Sequence, residues 1–92
     1  MMVHIRAFGA FREILGRERD VEVKEGSTIK DLLNTLTSSN ERLRSALLDE
    51  SGNVRDYVTL TKNKKSIDIL EGLGTELNDS DEVAMLPPIA GG

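Results

Sequence analysis

The stretch Gly26-Ser27-Thr28-Ile29-Lys30-Asp31-Leu32-Leu33-Asn34-Thr35-Leu36 decides the fold, because it fixes where the chain must be helical. Thr28 can accept a hydrogen bond from the backbone three residues on, and Asp31 can answer it, a variant of the capping box. Ile29, Leu32, Leu33 and Leu36 then fall at i, i+3, i+4 and i+7 and make one apolar stripe. A helix with one apolar stripe needs a single surface to cover it, and the flanking segments read as strands. Upstream, Val3, Ile5 and Ala7 alternate with His4, Arg6 and Phe8, which predicts a strand over residues 2 to 8. Gly9 breaks it, Ala10 to Leu15 can form a short helix, and a second strand follows over 19 to 24 with Val21 and Val23 inward.

Downstream, Thr37-Ser38-Ser39-Asn40 ends the capped helix and can start another, with Leu43 and Leu47 on a common side. Asp49 to Asn53 has the composition of a turn. Val58 and Leu60 alternate with Tyr57, Thr59 and Thr61, which predicts a strand over 56 to 62. Asn63-Lys64 would turn it into a short strand near Ser66 to Asp68, although Lys64 stands where a tight turn favours glycine. Leu70 to Gly74 reads as a loop, and its G-x-G lacks the remaining features of a dinucleotide site. Asn78-Asp79-Ser80-Asp81-Glu82 reads as a solvated turn rather than a calcium loop, since the glycine and the terminal Glu spacing are missing. Val83 and Met85 open a last strand. The order predicts an α+β domain over residues 1–86, a mixed sheet of four to five strands with a helix packed across one face, followed by a tail over 87–92.

Composition narrows the chemistry. The 92 residues include 16 acidic and 12 basic side chains, a formal net charge of −4, one histidine and no cysteine. That balance argues against a nucleic-acid partner, which asks for a basic stripe. Without cysteine, and with His4 alone to serve as an imidazole base, nucleophilic dyads and zinc sites are disfavoured. The sequence shows neither a signal peptide nor a bilayer-spanning segment, which predicts a cytoplasmic protein with no membrane partner. What stands out is the ending Pro87-Pro88-Ile89-Ala90-Gly91-Gly92. The prolines favour an extended exit from the body, and the glycines, lacking Cβ atoms, fit a narrow slot with the Gly92 carboxylate at its end.

These features resemble the ubiquitin-like β-grasp sulfur carriers of the MoaD and ThiS type, together with the small archaeal modifier proteins. The marks are Phe8-Gly9-Ala10-Phe11-Arg12-Glu13, Gly26 to Leu33, Asn63 in the hairpin, Glu71-Gly72-Leu73-Gly74-Thr75 and Asp81 to Gly92. Two positions depart from the family pattern: Lys64 replaces a turn glycine, and Leu86 stands where many members carry an aromatic. The resemblance implies a β-grasp fold and no catalytic residue or metal in this chain. It implies a ubiquitin-activating-type enzyme that spends MgATP to adenylate Gly92. The product is then a thiocarboxylate that donates sulfur within molybdopterin synthase, beside the large subunit, for molybdenum cofactor biosynthesis. Alternatively an isopeptide bond forms between Gly92 and lysines of target proteins. A third reading, from another class, is a plain interaction module with an inert tail.

Pro87, Pro88, Ile89, Ala90, Gly91 and Gly92 are expected to enter the partner. The sheet face left open by the helix is expected to dock it, through Arg6, Phe8, Thr59, Thr61 and Leu86, with His4 and Tyr57 alongside. Scattered surface apolars are normal, so Phe8 can equally close the core at the strand end. The acidic body suggests a basic groove around the tail.

Overall fold

The computed structural model describes residues 1–88. The chain forms β1 (Met2–Ala7), α1 (Ala10–Leu15), β2 (Glu18–Glu22), α2 (Ile29–Thr37), α3 (Glu41–Leu47), β3 (Thr59–Lys62), β4 (Lys65–Ser66) and β5 (Glu82–Leu86). Short 3-10 turns occupy Ile67–Ile69 and Gly72–Gly74. The five strands make one mixed sheet in the order β2-β1-β5-β3-β4. β5 is therefore central, parallel to β1 and antiparallel to β3.

The helix that decides the fold forms as its residues dictate. Thr28 Oγ1 accepts from the Asp31 amide at 3.3 Å, and Asp31 Oδ2 accepts from the Thr28 amide at 2.9 Å, so both halves of the capping box are made. Such a cap stabilises a helix by about 1 kcal/mol. Ile29, Leu32, Leu33 and Leu36 are all buried. Asn40 starts α3 in the same way, accepting from the Leu43 amide at 3.0 Å. The inward side chains Val3, Ile5, Ala7, Leu60, Val83 and Met85 of the sheet meet α2, Phe11 and Leu15 of α1, and Leu43 and Leu47 of α3 in one cluster. Each large aliphatic side chain buried there is worth roughly 1.5–3 kcal/mol as an upper bound.

Several expected boundaries are corrected. The third strand begins at Thr59, not near 56, because the Val58 amide bonds back to Arg55 O and the Arg55 amide to Leu47 O. Tyr57 consequently sits in a turn, 52% exposed. β4 stops at Ser66, whose Oγ accepts from the Asp68 amide and starts the 3-10 turn that replaces the expected strand. The segment expected as a loop at Leu70 to Gly74 closes into the second such turn. β2 ends at Glu22, yet Val23 stays buried and its amide bonds to Met1 O.

The turn at 78–82 is not solvated throughout. Asp81 is 7% exposed and accepts from the Asn78 amide at 2.7 Å and from Asn63 Nδ2 at 2.9 Å. Asn63 Oδ1 in turn accepts from the Glu82 amide, so the hairpin tip is tied to the start of the central strand. Asn63 and Lys64 both take positive φ, 49° and 73°. Asparagine tolerates that region, and its three bonds to Asp81 and Glu82 hold Lys64 in a geometry that would otherwise favour glycine.

Candidate functional site

Strand register places the open face of the sheet residue by residue. Met2, His4 and Arg6 lie opposite Glu22, Asp20 and Glu18 on one side, and His4 and Arg6 opposite Glu82 and Ala84 on the other. Ala84 and Leu86 then lie opposite Thr61 and Thr59. Arg6, Thr59, Thr61 and Leu86 thus share this face, and the Phe8 ring joins them beside the Arg6 guanidinium. Phe8 and Leu86 are half-buried, while Tyr57 stands off the sheet. Ala84 lies between Arg6 and Thr61 and is buried rather than exposed.

The tail leaves from the end of β5, and that exit is braced. The Phe8 amide donates to Met85 O at 3.2 Å, which carries β1 one residue past its end alongside the last strand. Gly9 follows with φ 56° and ψ −131°, a combination open to glycine. A Cβ at Gly9 would stand 2.7 Å from Pro87 Cγ, so the missing side chain is what lets Pro87 sit against the loop. Arg6 Cζ lies 5.4 Å and Arg12 Cζ 5.7 Å from the centroid of the Phe8 ring, within the range of cation–π attraction. Gly9 and Arg12 were absent from the expected docking set. The signal was present in the Phe8-to-Glu13 stretch, but the contact with Pro87 spans the whole chain. Ile89, Ala90, Gly91 and Gly92, the remaining expected tail positions, lie outside the described residues.

Two titratable groups lie at the other end of β5, where the His4 amide donates to Asp81 O at 2.8 Å. His4 Nδ1 lies 2.7 Å from Asp20 Oδ1, and Nε2 lies 2.7 Å from Glu18 Oε1. Carboxylates accept and do not donate, so both ring nitrogens must carry protons and the imidazolium is favoured. The bonds to Asp20 and then Glu18 raise the His4 pKa above its ordinary 6.5. For Asp81, burial pushes the carboxyl upward, but the Asn78 amide, Asn63 and Lys62 together outweigh it and hold the pKa below 3.8. Among the described residues no group of three or more His, Cys, Asp or Glu is placed to hold a metal. A cleft of about 210 Å³, lined by Val54, Val58, Leu60, Ile67 and Leu73 with Arg55 and Asp68 among its polar residues, lies under the 3-10 turns. It is smaller than the sites that usually enclose a small-molecule ligand. No helix among the described residues is long and apolar enough to cross a membrane.

A mixed sheet with a capped helix across one face, and a central last strand that delivers the tail, defines a ubiquitin-like domain. The crystal structure of SAMP1 from Haloferax volcanii superposes with a TM-score of 0.86 at 26% identity, covering 100% of both chains. Small archaeal modifier protein 3 of Haloferax volcanii is 34% identical over 93 residues, covering 100% of both chains. The molybdopterin synthase sulfur carrier subunit of Mycobacterium tuberculosis is 33% identical over 92 residues, covering 98% of this chain and 96% of that one. The ThiS family model matches residues 5–92, and the chain belongs to that family. It is a ubiquitin-like β-grasp protein whose relatives are sulfur carriers or protein modifiers.

Proposed function

We propose that this chain is a sulfur carrier whose Gly92 carboxylate is activated by an adenylating partner. The observation that carries the reading is the brace at the tail's root: a strand paired on both sides ends at Leu86, and Pro87 is seated on Gly9. A rigid base is what a tail needs to be presented to a partner's active site. A carboxylate resists attack because oxide is a poor leaving group. In the proposed sequence a Gly92 oxygen attacks the α-phosphorus of MgATP bound by the partner, and pyrophosphate leaves. Hydrosulfide then displaces AMP from the acyl-adenylate, loses its proton and leaves a thiocarboxylate. As the small subunit of molybdopterin synthase, beside the large subunit, the chain would form a thioester to the pterin precursor through that sulfur, and water would cleave it, leaving the sulfur on the precursor and restoring the carboxylate. The general acid, general base and metal belong to the partners, and the cytoplasm is the compartment we propose.

The test is ATP–pyrophosphate exchange with the cognate adenylating enzyme, comparing the intact chain with one lacking Gly91-Gly92. Exchange should require the two glycines, and the thiocarboxylate should appear by mass spectrometry on protein isolated from molybdate-grown cells. Equal exchange by both forms would refute the reading. The likeness to small archaeal modifier protein 3 over the whole chain favours a second fate for the same adenylate. A lysine ε-amine would displace AMP, lose a proton and form an isopeptide bond. Gly-Gly remnants on lysines of other proteins would establish it, and their absence under every growth condition would count against it.

A further inference from the structure

We infer that the partner engaging the tail presents an acidic side chain to Arg6 and Arg12 at the tail's root. The inference rests on the reading that a partner binds around this tail. It reverses the expectation from net charge, since a body at −4 suggests a basic groove. Net charge describes the encounter at long range; contact depends on what stands beside the exit. There the two guanidinium groups gather on one aromatic ring, at 5.4 Å and 5.7 Å, and that ring's own backbone is bonded to Met85.

Each guanidinium carries five N–H donors, and little in the protein occupies them. Arg6 forms an ion pair with Glu82, Nη1 to Oε1 3.9 Å, a separation that attracts the charges but is too long for a hydrogen bond. Arg12 Nε makes one long bond, 3.4 Å, to Ala7 O. Arg17 comes to the same end of the sheet, its carbonyl accepting from the Ala7 amide. The acids opposite are otherwise engaged, because Glu18 and Asp20 both hold His4. A carboxylate brought against either guanidinium would offset its charge and take paired hydrogen bonds from a planar fork. Arginine beside an aromatic is also the composition enriched at protein contacts. The nucleotide is the poorer occupant. Five residues beyond Pro87 span about 16 Å when extended, so in the proposed reaction its phosphates meet Gly92 well away from these arginines.

The test is the same exchange assay on the full chain, read as KM for the chain and kcat separately. The variants are Arg6→Glu, Arg12→Glu and Arg12→Lys, with Lys30→Glu as control. Lys30 is exposed on α2, across the sheet from this face, and its reversal changes net charge equally. Each arginine reversal should raise KM at least about tenfold, because like charges are forced together, while kcat stays within about twofold. Lys30→Glu should leave KM unchanged, and Arg12→Lys should keep most of the affinity. Thermal melts confirm that the variants fold; where a reversal does not, Arg6→Gln and Arg12→Gln should still raise KM and flatten its dependence on salt. Unchanged or lower KM in folded reversal or glutamine variants overturns the inference while leaving the proposed function standing. Absence of exchange by the unmodified chain removes the proposed function and this inference with it.

Discussion

Gly9→Ala isolates the brace beneath the tail. Its backbone, at φ 56° and ψ −131°, would cost a side-chain-bearing residue about 1–3 kcal/mol. The new methyl would also meet Pro87 Cγ at 2.7 Å and Pro87 Cβ at 3.4 Å, an overlap that adds about 1–3 kcal/mol unless the proline shifts. A total near 3 kcal/mol corresponds to a fall in Tm of roughly 12–24 °C for a domain of this size. Two further variants separate the parts. Gly16 also has positive φ, 87°, but nothing lies within 4 Å of a Cβ there, so Gly16→Ala measures strain without collision. Pro87→Ala removes Cγ and leaves the milder contact at Cβ, so Gly9→Ala made in that background should cost about 1–2 kcal/mol less than in the parent. Urea and thermal unfolding by circular dichroism supply all four corners of the cycle. Should the penalty at Gly9 be the same with and without Pro87, the contact is incidental and the exit of the tail is not braced by this loop.

Asp81→Ala strands the Asn78 amide and Asn63 Nδ2 and should cost about 2–3 kcal/mol at pH 7, read from the urea midpoint. Because its folded pKa is lowered, the stability Asp81 contributes is present above 3.8 and is lost as pH falls through the lower folded value. The gap between parent and variant should therefore narrow in acid, and a gap constant down to low pH would contradict the account. His4→Gln works in the opposite direction. Its folded pKa is raised, so its contribution is complete below 6.5 and disappears as pH rises through the folded value. Urea midpoints at pH 6 should favour the parent over the variant, and the difference should shrink in alkaline buffer; a difference that grows instead would show that His4 is not held as an imidazolium.

The parts of this fold that read from the sequence are those written in short-range chemistry. The Thr28-Asp31 cap and the stripe Ile29, Leu32, Leu33, Leu36 need no neighbour in order to be recognised, and both are made. Strand alternation placed Arg6, Phe8, Thr59, Thr61 and Leu86 on one face; the register sets Arg6, Thr59, Thr61 and Leu86 on a common side, and the Phe8 ring lies beside Arg6. Contacts between distant residues were hidden. Asp81 belongs to a stretch with the composition of a turn, and its burial comes from Asn63, 18 residues earlier. Tyr57 alternates correctly for a strand, but the bond from Arg55 to Leu47 bends the chain first. Gly9 was legible as a break, whereas its service to Pro87 depends on β5 lying parallel beside β1. His4 read as an exposed strand residue, and it is half-buried between two carboxylates. Glu18 and Asp20, alternating on the facing hairpin strand, already held the clue to its two partners.

The parallel pairing of β1 with β5 also sets how the domain bears load. Tension applied through the tail and resisted at the start of β1 draws the two strands lengthwise past each other. Their cross-links must then give way together, as in a lap joint, instead of parting one after another like a zip. With β3 gripping the other edge of the same strand, a pull along the tail meets the direction in which the sheet is hardest to dismantle.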